Sequence, residues 1–129
     1  MFKYHKDGDL PIGSEIFVYG SNLAGIHGAG AAKVAMNLFG AKWGNGKPGI
    51  VGLSYAIPTK DERIESLSLD RISPFVYDFV SFTKSHPCIE FFLTRVGCGL
   101  AGFANNDIAP LFKGVGENCN IPEEWKRWL

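Results

Sequence analysis

The sequence predicts an α/β fold: a three-layer α/β/α sandwich around a mixed, mainly parallel sheet, with residues 1–129 forming one domain. Three observations predict it. Two apolar strands, Ile16 to Tyr19 and Ile89 to Val96, each run into a glycine-rich loop and then a helix, the order that builds parallel sheets. The second of these strands holds Ile89, Phe91, Phe92 and Leu93, and such near-continuous apolarity suits a strand buried on both faces. At 129 residues, 46% hydrophobic and 13% aromatic, the chain can bury a single core and is too apolar to remain disordered.

The elements follow in order. Met1 to Ser14 reads as an irregular lead-in closed by Gly8, Pro11 and Gly13, with Phe2 and Tyr4 tucked against the core and His5 in solvent. Glu15 to Tyr19 is the first strand. The loop after it carries Gly20, Gly25, Gly28 and Gly30, and Ala31/Ala32, Val34/Ala35 and Leu38/Phe39 then recur at helical spacing. Lys42 to Gly49 is a loop; its Trp43 either stacks on a base or, the commoner fate, caps the core. Ile50 to Ile57 is the second strand, and Pro58 ends it, leaving Lys60 just beyond. Ser73-Pro74 starts a helix with Phe75, Val76, Phe79, Val80 and Thr83 as its apolar stripe, and His86-Pro87 stops it. After the third strand comes the loop Gly97 to Phe103. A helix capped by Asn105 or Asn106 follows, with Asp107 in its first turn and Ile108, Leu111 and Phe112 inward. Pro122 to Trp128 closes as a short helix, acids first and bases last.

Composition narrows the function. Thirteen basic and thirteen acidic residues cancel, which argues against non-specific nucleic-acid binding and against attraction to anionic lipid. No apolar run approaches the roughly 18 residues of a membrane span, so no membrane partner is expected. Cys88, Cys98 and Cys119 are odd in number and far apart, without a C-x-x-C pair. Neither a metal site nor a disulfide framework is expected, and a reducing, cytoplasmic location is. No cofactor is called for.

The chemistry concentrates in the glycine loops. Four glycines in the eleven residues Gly20 to Gly30 exceed what a turn needs, and they lead straight into a helix N-terminus. Glycines let backbone approach a ligand, and the free N–H groups of a first helical turn point at it, so the expected ligand is a phosphate or pyrophosphate. The loop is not a Walker A loop, because Ile26-His27 stands where Lys-Ser/Thr is needed. The G-x-x-G-x-G order also differs from the dinucleotide fingerprint. Gly97, Gly99 and Gly102 repeat the arrangement after the buried third strand. Two such loops at one sheet edge suit a diphosphate with a sugar on each side. By composition alone Lys60 is a surface lysine in a charged loop, and Cys98, with no base nearby in sequence, is a small buried side chain.

Three blocks carry a resemblance to a known family. They are His27-Gly28-Ala29-Gly30-Ala31-Ala32 with Leu38-Phe39-Gly40, Tyr55-Ala56-Ile57-Pro58-Thr59-Lys60, and Thr94 to Phe103 with its Gly97-Cys98-Gly99-Leu100-Ala101-Gly102 core. Together, and in this order, they resemble the macro domain superfamily of ADP-ribose-binding proteins. The similarity is greatest to the branch of terminal ADP-ribose protein glycohydrolase and the DNA ADP-ribosyl glycohydrolase antitoxins. The resemblance implies a trimmed macro-domain-like fold without the strands that usually precede the first block. Its ligand would be ADP-ribose or an ADP-ribosylated macromolecule, protein or DNA, bound as a substrate or by a non-catalytic reader. It implies Lys60 as the catalytic residue attacking or assisting at the distal ribose, a role open only to a neutral amine. Asn22 stands where related domains place an asparagine beside that ribose. Ser21, Gly28, Ala29, Gly30, Gly97, Cys98, Gly99, Leu100, Ala101 and Gly102 would hold the ligand, and Phe103 would stack on adenine. The chain departs from the pattern at Ala101, where protein-directed members carry an aspartate, and at Phe103-Ala104-Asn105, where DNA-directed members carry Leu-Asp-Trp. A replacement carboxylate would have to come from elsewhere, Asp61 or Asp107 among the choices.

Overall fold

The computed structural model describes residues 1–129. Six strands form one sheet: β1 Lys3–His5, β2 Ile16–Asn22, β3 Gly49–Val51, β4 Ser54–Lys60, β5 Phe91–Leu93 and β6 Cys119–Pro122. Their spatial order is β1-β6-β5-β2-β4-β3. Every neighbouring pair is parallel except β3 and β4. The helices are α1 Gly30–Leu38, α2 Leu69–Ser85 and α3 Asn105–Ile108, with 3-10 turns at Ala109–Phe112 and Glu123–Trp128. The sheet is mixed and mostly parallel, and helices cover both faces. No helix is long and apolar enough to cross a membrane.

Side-chain alternation along each strand sorts the core into two layers. Ile16 and Val18 of β2, Tyr55 and Ile57 of β4, and Phe91 and Leu93 of β5 point to the α2 face and join Phe79, Phe112 and Trp125 in the larger cluster. Phe17, Tyr19, Ala56 and Phe92 point to the other face and meet Ala32 and Ala35 of α1. The alanines pack α1 close against the sheet.

Several boundaries differ from the sequence reading, each for a local reason. The lead-in contains β1, which pairs with β6, and His5 leaves solvent to stack on Phe92 at 3.8 Å. A strand therefore does precede the first block. Tyr4 stays exposed beneath the Lys126 ammonium, 5.0 Å from the ring centre. The second strand is a hairpin, β3 and β4, turning at Gly52 with φ +61°. Pro58 lies inside β4 as the register partner of Ser21, and β3 pairs only as far as Ala56, so β4 is unpaired on that side at Pro58. Helix α2 begins one turn before Ser73-Pro74. Ser68 is its cap, the hydroxyl accepting from the Arg71 N–H at 3.3 Å, and Ser73 instead donates to the Leu69 carbonyl at 2.8 Å. The third strand shortens to Phe91–Leu93, and Ala104 stands at the cap of α3, where Asp107 accepts its N–H at 3.1 Å. β6 is an added strand, and the closing helix is 3-10.

Candidate functional site

Parallel strands end on one side of a sheet, so the loops following β2, β4 and β5 gather there. They surround a cavity of about 610 Å³. Gly28, Ala29 and Gly30 of the first glycine loop line it, as do Gly97, Gly99, Leu100 and Ala101 of the second. The loops touch: a Cβ on Gly30 would stand 3.2 Å from Leu100 Cδ1.

The first loop is held by its own side chains. Asn22 uses its whole amide on Ile26, Nδ2 donating to the carbonyl at 2.8 Å and Oδ1 accepting the N–H at 2.9 Å. His27 is buried, with Nδ1 2.9 Å from the Gly25 carbonyl and Nε2 3.2 Å from the Tyr19 hydroxyl. A carbonyl only accepts, so Nδ1 carries the proton and Nε2 accepts from Tyr19. Burial pushes the Tyr19 hydroxyl up to about 12, which keeps it protonated for this bond. Gly25 also accepts the Gly44 N–H at 2.7 Å, joining this loop to the Lys42–Gly49 loop. Trp43 lies outside the cavity, tilted against His27 with ring centres 6.4 Å apart.

Two sets of free amides result. The N–H groups of Gly28, Ala29, Gly30, Ala31 and Ala32 have no partner in the chain, as expected for an approach to a helix start. The second loop is braced by Cys98 N–H to Arg95, Gly102 N–H to Gly99 and Phe103 N–H to Gly97, each about 3 Å, and this leaves the N–H groups of Gly99, Leu100 and Ala101 unpaired. All eight residues line the cavity. Ser66 Oγ donates to the Ala101 carbonyl at 2.8 Å and ties the second loop to the segment after β4.

The remaining predicted residues divide. Lys60 and Ser21 line the cavity with Asn22, and no carboxylate lies within ion-pair distance of the Lys60 ammonium. Cys98, Gly102 and Phe103 lie outside the lining. Phe103 packs against the larger core cluster, its ring 3.5 Å from where a Cβ on Gly97 would stand. Cys98 is half-buried, and burial raises its thiol pKa against the lowering effect of Arg95, with Asp107 and Asp7 adding to the rise. Neither proposed replacement carboxylate reaches the cavity. Asp61 accepts the Arg63 and Glu65 N–H groups, and Asp107 serves at the start of α3.

Asp7 and Asp9 line the cavity instead, and sequence reasoning missed both. They come from the lead-in, where no periodicity marks them. Asp7 is held by Arg95, 88 positions away, whose Nη2 lies 3.0 Å from Asp7 Oδ2 while Nη1 donates to Asn105 Oδ1 at 3.2 Å, and Asp9 accepts the Lys6 N–H at 3.2 Å. Ile64 was missed too. It lines the cavity with φ +63°, the only non-glycine residue with positive φ. A β-branched residue there is strained by about 1–2 kcal/mol. Ile64→Asn, which tolerates this backbone, is expected to raise the thermal midpoint by about 3–5 °C. A calorimetric scan returning an unchanged or lower midpoint would refute the strain.

No group of three or more His, Cys, Asp or Glu side chains is assembled for a metal. The site combines two sets of free backbone donors and the unpaired Lys60 with the Asp7 and Asp9 carboxylates and Arg95. The class defined by fold and site is thus an α/β sandwich with a cavity lined by free backbone amides at the carboxyl ends of its parallel strands. No protein-family model, curated protein or solved structure matches the chain.

Proposed function

We propose that the chain binds ADP-ribose or a closely related nucleotide diphosphate-ribose between its two glycine loops. One observation carries the reading: two separate sets of unpaired amides, from residues 28–32 and 99–101, line a single cavity. One set suffices for a single phosphate, and a facing pair suits a diphosphate. The cavity's 610 Å³ lies within the range of sites for ligands of this size. The resemblance of the three sequence blocks to macro domains supports the same choice. Asn22 and Lys60 are register partners at the ends of β2 and β4 and share the cavity, which supports assigning both to the distal-ribose side of the ligand, Lys60 with a free ammonium and Asn22 with its amide held by Ile26.

A second reading, hydrolysis of an ADP-ribosyl bond on protein or DNA, is favoured by Lys60 and the Asp7 and Asp9 carboxylates sharing that cavity. In this reading Lys60 acts at the anomeric carbon and a carboxylate from the lead-in takes the place of the one absent at Ala101. Without it, the protein is a reader of ADP-ribosylated targets.

Calorimetry with ADP-ribose and a release assay on ADP-ribosylated protein and DNA separate these readings. Lys60→Ala is expected to weaken ADP-ribose about tenfold, the loss of one charged contact. If the wild type releases ADP-ribose, the substitution is expected to slow release by about a hundredfold or more. Binding without release identifies the reader, and no binding by the wild type at millimolar ADP-ribose removes the proposal.

A further inference from the structure

We infer that the Ser21 hydroxyl reads a phosphate oxygen of the bound ligand and makes Ser21 a specificity-determining residue of the cavity. This rests on the diphosphate reading above and deepens it.

The observation is an unmet hydrogen bond. Ser21 is 7% exposed, lines the cavity, and its Oγ has no partner in the chain. The other buried serine and threonine hydroxyls are all paired: Ser54 donates to the Val51 carbonyl, Thr59 to the Ser21 carbonyl and Thr83 to the Val80 carbonyl. Buried polar atoms are nearly always satisfied, and an orphan destabilises the empty protein. Ser21 could have been avoided at no cost to the strand, since alanine fits the same pleat.

Its surroundings say what the hydroxyl waits for. Alternation along β2 sets Ser21 on the face of Phe17 and Tyr19, the face covered by α1, and it shares the cavity with the free amides at that helix's start. The neighbouring Asn22 amide is fully used by Ile26. The cavity that Ser21 lines also holds the free amides of residues 28–32 and the unpaired Lys60 ammonium. A sugar hydroxyl needs an acceptor as well as a donor, whereas a phosphate oxygen only accepts, so a phosphate satisfies the hydroxyl and the amides together. The carboxylates of Asp7 and Asp9 enter from the lead-in, with Asp7 held by Arg95.

The test compares wild type, Ser21→Ala and Ser21→Cys by calorimetric titration with ADP-ribose, inorganic pyrophosphate and adenosine, beside thermal melts of the empty proteins. Ser21→Ala is expected to weaken ADP-ribose and pyrophosphate by about tenfold to a hundredfold and to leave adenosine unchanged. The empty variant is expected to melt no lower than wild type, because the orphan is gone. Ser21→Cys, similar in shape with a weaker donor, is expected to fall between them. Equal affinity of wild type and Ser21→Ala for pyrophosphate overturns the inference, as does an equal loss for adenosine. Wild type that binds pyrophosphate but not ADP-ribose overturns the nucleotide reading and leaves Ser21 in its role. Wild type that binds neither overturns both.

Discussion

Gly25→Ala is expected to lower the thermal midpoint by about 10 °C and to abolish the ADP-ribose binding proposed above. Gly25 has φ +74°, a conformation that an L side chain adopts only under strain. A Cβ there would stand 2.5 Å from the Gly44 carbonyl carbon and 2.6 Å from the Asn45 nitrogen, both backbone atoms unable to swing away. The loops must separate, and the Gly25 carbonyl would then lose the Gly44 N–H and the His27 ring together. Strain and two lost bonds amount to about 3 kcal/mol. The damage reaches the site because His27 directly precedes the amides that start α1. Gly28→Ala is the matched control, since its Cβ meets only Ile26 Cγ2 at 3.9 Å and φ needs no change of sign. It is expected to shift the midpoint by no more than about 1–2 °C. Melting curves for both variants decide the matter: a Gly25→Ala protein as stable as Gly28→Ala would mean that the loops are not packed backbone to backbone.

Alkali is expected to unfold the protein along a steep slope. Burial pushes Cys119 from an ordinary value of 9.0, and Tyr19 from 10.0, each up to about 12. Tyr55 rises to about 12 as well, through burial first and the Asp78 charge second. All three are acids that the fold keeps neutral. Below their unfolded values both states hold the protons and stability is at its full value. Above those values the unfolded chain ionises first, binds fewer protons than the native state, and stability falls with pH until about 12. Each group contributes at most about 1.4 kcal/mol per pH unit, so the slope begins near pH 9 with Cys119 and reaches about 4 kcal/mol per unit once the tyrosines join. Urea unfolding at pH 8, 10 and 11 measures it. Cys119→Ala is expected to remove the earliest part of the decline, between about pH 9 and 10, while the later part remains. A stability that is flat to pH 11 would show that these groups open to water in the native state.

The glycine loops were legible because the signal is local. A strand, a cluster of glycines and a helix start in one stretch of chain place backbone donors at a sheet edge, whatever the rest of the fold does. What depended on distant residues was not legible. Asp7 is tied at the cavity to Arg95, 88 positions away, and nothing near it in sequence announces that pairing. β1 and β6 are three and four residues long and pair with each other, so neither shows a period. The start of α2 was read one turn late because Ser73-Pro74 satisfies the same capping rule as Ser68, which binds Arg71. Ser21 and Lys60 were placed through the family resemblance, and the unmet hydroxyl of one and the unpaired charge of the other emerge only in three dimensions.

The pairing of β1 with β6 brings Lys3 beside Asn120. β1 has no β6 partner to pair with until the residues of β6 have been synthesised. Arg95 is enclosed from both directions in the same way, by Asp7 from early in the sequence and by Glu124, 3.9 Å away, from late in it. A nascent chain halted before β6 can form both glycine loops and still lack the wall that the lead-in provides. Closure of the cavity on the lead-in side therefore waits on β6 and Glu124, which are synthesised long after both glycine loops.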